Sequence, residues 1–246
     1  IDGLSDAKSG GTDFASSLFL GHQTHGTLSA ASQNVAVGYT TMDSLTQGDQ
    51  NTAVGYGALT ANTVGHSNTA FGFNTLASTV TNLTDEQTAI GYAALESSVG
   101  EKNTALGAYA GQGLTDGIQN TLIGYDAGNA AMEQDYNTCV GAYSGTALTT
   151  GAGFNTGVGK SALAGATTSN YVVAVGTNAT GGGVLTGNAI VAIGHNAGYS
   201  LTAATNSVFV GQGAGGSVTD GISNTAVGMD SLQACVGAGY NTTVGH

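Results

Sequence analysis

NTAVGYGAL at Asn51–Leu59 is followed at once by NTAFGFNTL at Asn68–Leu76, and much further along by NTAVGMDSL at Asn224–Leu232. Variants of the same nonapeptide fill the interval, among them NTALGAYAG from Asn103, NTLIGYDAG from Asn120 and IVAIGHNAG from Ile190. Their central glycine recurs fourteen times, from Gly21 to Gly245, and nine of the thirteen spacings are 17 residues, the others being 16, 18, 18 and 19. A fixed period of this length is the mark of stacked supersecondary units. Each unit is too small to bury a core alone, and stacking gives a continuous one.

Counting from the glycine, the residue before it is apolar in every repeat, from Leu20 and Val37 to Val227 and Val244. The third residue after it is small, as in Thr41, Ala58, Ala110 and Ser144. Short strands alternate faces. With the larger residues at minus one placed inside, the minus-two column points outward. It holds Ala36, Ala53, Ala70, Ala89, Ala105, Ala174, Ala192 and Ala226. A small apolar column on the outside is expected where a second copy of the chain packs closely. The sequence reading is therefore an all-β parallel solenoid of about fourteen 17-residue coils, with these alanines facing a trimer axis. At about 4.8 Å per coil it predicts a rod roughly 60 Å long. An Asn opens many strands (Asn34, Asn51, Asn68, Asn103, Asn120, Asn137), where its side chain is expected to bond turn backbone and the Asn above.

Composition supports strand and turn. The chain has 42 Gly, no Pro and no Trp, so every backbone N–H is available to a ladder. Collagen is excluded by the missing proline and missing three-residue period. Only 7% of residues are charged, and the net charge of -12 with three lysines and no arginine offers nothing to nucleic acid. No apolar run is long enough to span a bilayer. Residues 1–17 form a lead-in and residues 18–246 the repetitive domain. Because the sequence opens at Ile1 inside no recognisable signal and stops at a repeat boundary, it reads as a segment of a longer protein.

The motifs N-S/T-x-A-V/I-G and N-T-A-V-G-Y-x-A-L resemble the repeat region of bacteriophage tail fibres. NTAVGYGAL, NTAFGFNTL and NTAVGMDSL carry that likeness. NYVVAVG (Asn170–Gly176) and NAIVAIG (Asn188–Gly194) resemble the related head of trimeric autotransporter adhesins of the YadA type. The resemblance implies a left-handed parallel β-roll in a side-by-side homotrimer. It also implies attachment to host surface glycans or proteins through many weak contacts, and a place on the virion or, for an adhesin, on the bacterial surface. The longer coils and the Tyr-x-Ala-Leu tail favour the tail-fibre family.

No catalytic motif stands in its required context, and the expectation is a protein without enzymatic activity, cofactor or metal. The closest acidic pair, Asp85-Glu86, sits in the longest interruption. His22, His195 and His246 share the position after the glycine but are several coils apart, with His25 beside the first. That same position carries Tyr39, Tyr56, Phe73, Tyr92 and Tyr125, the candidate surface for stacking on glycans or on one another. The variable loops 78–87, 129–135 and 177–185 are the further candidates for receptor contact. Cys139 and Cys235 lie several coils apart, too far for a disulfide.

Overall fold

The computed structural model describes residues 7–9, 16–21, 29–77, 85–130, 133–149, 151–233, 235–237 and 239–246. It forms two compact units, residues 1–119 and 120–246. The first contains β1 (Ala7–Ser9), β2 (Leu18–Leu20), β3 (Val35–Val37), β4 (Thr52–Val54), β5 (Thr69–Phe71), β6 (Thr88–Ile90) and β7 (Thr104–Leu106). Strands β2 to β7 pair in parallel in chain order, with Thr52 opposite Thr69 and Ala53 opposite Ala70. β1 lies antiparallel on β2, pairing Ala7 with Leu20, and so covers the first edge of the ladder. The second unit contains β8 (Thr121–Ile123), β9 (Thr138–Val140), β10 (Thr156–Val158), β11 (Val172–Val175), β12 (Ile190–Ile193), β13 (Ser207–Val210), β14 (Thr225–Val227) and β15 (Thr242–Val244), again parallel and in order. This is the parallel β-solenoid that the 17-residue period predicts.

The faces of the strands are the reverse of the expectation. Ala36, Ala53, Ala70, Ala89, Ala105, Ala174, Ala192 and Ala226 are wholly buried inside their own chain. They therefore cannot line a trimer axis. The residues at minus one and minus three are the outward ones: none of Val37, Val54, Phe71, Ile90, Leu106, Val158 or Ile193 is buried. The physical reason is the narrowness of the coil. A three-residue strand sends one side chain in, and the opposite wall lies so close that a methyl group usually fills the gap. Bulk is supplied from that wall, by Met42, Leu59, Leu76, Leu95 and Leu163 at plus four.

Volume is balanced within each coil. Where the inward strand residue is larger than Ala, plus four is glycine: Leu122 with Gly128, Cys139 with Gly145, Phe209 with Gly215. A Cβ on Gly215 would run into the Phe209 ring, and one on Gly128 would lie 3.0 Å from Leu122 Cδ1. Where plus four is glycine, plus seven is commonly large, as in Leu114, Leu148, Leu201 and Val218. Conversely Gly157 lies opposite Leu163, whose Cδ1 would be 2.8 Å from an added Cβ. Close-packed interiors tolerate such exchanges only at constant volume.

The corners hold the coils in register. The residue five before each anchor glycine is left-handed without being glycine, as at Gln33 (φ 58°), Gln50 (60°), Tyr136 (62°) and Tyr171 (59°). Such residues cost roughly 1–2 kcal/mol each, offset by N–H groups directed to the neighbouring coil, as from Gln50 N to Ser32 O at 3.0 Å. The anchor glycine is required by close approach: a Cβ on Gly38 (φ 139°) would sit 2.6 Å from Gly55 O.

Inside each corner runs the expected asparagine ladder. Asn34 Oδ1 accepts from Asn51 N (2.9 Å) and Nδ2 (3.1 Å), and Asn51 Oδ1 accepts from Asn68 N (3.0 Å) and Nδ2 (3.1 Å). Each amide also donates across the corner, Asn34 to Gly48 O and Asn51 to Gly65 O, both at 2.8 Å. All three asparagines are buried, so the ladder satisfies polar groups that would otherwise be costly. In the second unit Val172 and Ile190 replace it, and there the strands lengthen to four residues.

Candidate functional site

The position after the anchor glycine is outward, and its aromatics form a ladder in the first unit. Ring centroids lie 5.8 Å apart for Tyr39–Tyr56, 5.1 Å for Tyr56–Phe73 and 5.1 Å for Phe73–Tyr92, with interplanar angles of 26°, 11° and 3°. The ladder ends in an edge contact of Tyr92 with Tyr109 at 5.2 Å and 68°. The structure thus brings together Tyr39, Tyr56, Phe73 and Tyr92 of the candidate surface. Tyr125 belongs to the second unit, where it meets Tyr143 edge-on at 5.4 Å. All five are roughly half-exposed. Near-parallel rings at about 5 Å cover one another's faces. Edges, hydroxyls and the faces at ladder ends remain for a ligand.

A second ladder, absent from the sequence reading, stands on the left-handed corner column. Tyr136–Phe154 centroids are 4.9 Å apart at 10°, and Phe154–Tyr171 centroids are 5.3 Å apart at 14°. Its signal was present: three successive repeats carry an aromatic five residues before the glycine. Beside it lies a groove of about 200 Å³ lined by Glu133, Gln134, Asp135, Tyr136, Phe154 and Asn170 together with glycine and alanine backbone. A more polar groove of about 310 Å³ lies among His195, Asn196, Tyr199, Gln212, Asp230 and Gln233.

Other candidates separate. His195 and His246 are exposed and several coils apart, while His22 and His25 lie outside the described residues. Among the described residues no three His, Cys, Asp or Glu groups converge as metal ligands. Of the variable loops, 177–185 is described and pairs through Leu185 with Ala166; positions 78–84 and 131–132 lie outside the described residues. Both cysteines are free thiols. Burial pushes the Cys139 thiol up to about 12, opposed by a hydrogen bond with Ser144. No described helix is long and apolar enough to cross a membrane.

Compared with protein-family models and with curated proteins, the chain matches none.

Proposed function

We propose that this chain is the shaft or receptor-binding segment of a trimeric phage tail fibre on the virion, with no enzymatic role. The observation that carries the reading is the outward face of the β-ladder. It presents an apolar residue at minus one in every coil, and Phe71, Ile90, Leu106, Val158, Ile193 and Val227 are exposed in the single chain. A repeating apolar strip on a chain with so few charges needs a cover, and an identical strip on two further copies supplies one of matching period. The head of a bacterial trimeric adhesin, or another extracellular filament, uses the same surface and is the alternative.

Receptor contact in this reading is with host glycans, through the ring edges and hydroxyls of Tyr39, Tyr56, Tyr92 and Tyr125 and the face of Phe73 where a neighbour moves aside. Contacts of this kind are individually weak, and repetition along three chains raises avidity roughly 10²–10⁴-fold. Light scattering tests the assembly. A mass three times 24.0 kDa is expected, and a single-chain mass would sink the proposal. A whole-cell binding assay of the Tyr39, Tyr56 and Tyr92 triple alanine variant, run beside thermal melting, tests the contact. Lost binding at unchanged melting temperature supports it, and unchanged binding removes it.

A further inference from the structure

The corner carbonyl that accepts the ladder asparagine sits on a small residue in most coils. Asn34 donates to Gly48, Asn51 to Gly65, Asn103 to Gly117, Asn137 to Ala152 and Asn155 to Ser169. The partner of Asn120 is Gln134, at 2.7 Å. The backbone bond is the same as elsewhere, so nothing in the corner requires the long side chain.

That side chain is buried, with 3% of the residue exposed, and neither its Oε1 nor its Nε2 has a hydrogen-bond partner among the described residues. An orphaned primary amide in the interior costs roughly 1–3 kcal/mol for each unsatisfied group. It lines the groove beside the second aromatic ladder, whose wall is Tyr136 and Phe154 and whose rim carries Glu133, Asp135 and Asn170.

We infer that this groove is a subsite for one ring of a neutral sugar. The inference rests on reading the chain as a receptor-binding fibre segment, and names its ligand class. Three features select the class. Both halves of the Gln134 amide lack partners, so the ligand must donate to Oε1 and accept from Nε2, as adjacent hydroxyls do. A cation would satisfy the oxygen alone. Glu133 and Asp135 accept hydroxyl protons but repel a carboxylate or sulfate, on a chain already at -12. This excludes sialic acids and other anionic sugars. The volume, about 200 Å³, is below the roughly 300–1,000 Å³ of sites for larger ligands, and fits a single ring against the edges of two aromatics. Asn170 Oδ1 already accepts from Gly153 N at 2.8 Å, leaving its amide hydrogens for the ligand.

The test is saturation-transfer NMR on the full chain with methyl α-glucoside, methyl α-galactoside and methyl α-mannoside at about 10 mM, above the Kd of order 1 mM that so small a site gives. N-acetylneuraminic acid and calcium chloride serve as comparators. Transfer to at least one neutral glycoside, with none to the acid, is expected. Gln134→Ala places in this corner the residue that Ala152 already supplies to the next one, so the fold is retained. It should weaken binding roughly tenfold, about 1.4 kcal/mol. Absence of transfer to all three glycosides overturns the inference, as does stronger transfer to the acid or displacement of sugar by calcium. A Gln134→Ala melting temperature as low as that of Leu148→Ala would make the amide a structural bond and also overturn it. The groove lies within one chain. Sugar binding by a monomeric protein would remove the trimer and keep the subsite, and a trimer that binds no neutral sugar would do the reverse.

Discussion

Cys139 and Gly157 occupy equivalent inward positions, and each shows how tightly a single residue is held. With its thiol pushed to about 12 by full burial, Cys139 is about one part in ten thousand thiolate at pH 8, whereas Cys235 is partly exposed. Alkylation of the native chain without reductant should modify Cys235 alone. Addition of denaturant should bring the count to two, and intact mass reads both. Two modified thiols under native conditions would mean that the β9 coil opens. The same burial gives a pH dependence. The unfolded thiol ionises from about pH 9 and the folded one only near 12, so stability is constant below 9 and falls through that window. At Gly157 the added methyl of an alanine would meet Leu163 Cδ1 and Ser144 Oγ, both at 2.8 Å. Gly157→Ala should cost about 1–3 kcal/mol and Leu163→Ala about 2–5 kcal/mol. The double variant should cost clearly less than their sum, because each change makes the space the other needs. Strict additivity in urea denaturation would refute the volume exchange.

Within one coil, the elements differ in how far the sequence discloses them. Gly38, Gly55 and Gly72 mark the period without ambiguity, because a Cβ at each would strike the carbonyl of the next coil. Asn34, Asn51 and Asn68 were likewise readable as a corner ladder, since a buried amide stack needs the same residue at the same place. The faces were not. Val37, Ala36 and Val35 are all apolar, so alternation gave no polar side to choose as the outside. Size pointed the wrong way, because the width of the coil, not hydrophobicity, selects what goes in. The second aromatic ladder escaped because Tyr136, Phe154 and Tyr171 stand outside the strand in left-handed corners, where aromatic side chains are not expected. The ladder itself makes a test. Asn51→Ala removes the acceptor of Asn68 N and the donor to Gly65 O. With two buried backbone groups orphaned, a loss of about 2–4 kcal/mol is expected, read as a lower urea midpoint at unchanged slope. A cost no larger than that of an exposed substitution would show that the ladder merely fills space.

For the whole molecule, the corrected faces change what a substitution should do to assembly. Ala174 is wholly buried, while Ile193 on the same sheet is more than a third exposed and apolar. If copies assemble through the outward strip, Ile193→Lys and Leu106→Lys place charges in an interface that has no counter-charge, among only three lysines in the chain. Each should dissociate the oligomer while far-ultraviolet circular dichroism stays native, because the outward side chain leaves its own coil undisturbed. Ala174→Arg should do the opposite. A guanidinium has no room where a methyl is fully enclosed, and its charge would be buried without a partner. The coil should unfold, and association be lost only as a consequence. Light scattering and circular dichroism on the three variants separate these outcomes. Native spectra with single-chain mass for the lysine variants, and a disrupted spectrum for Ala174→Arg, are expected. A folded, dissociated Ala174→Arg protein would return the alanine column to the interface. Lysine variants that keep the mass of the native assembly would leave the apolar strip covered by something other than a copy of this chain.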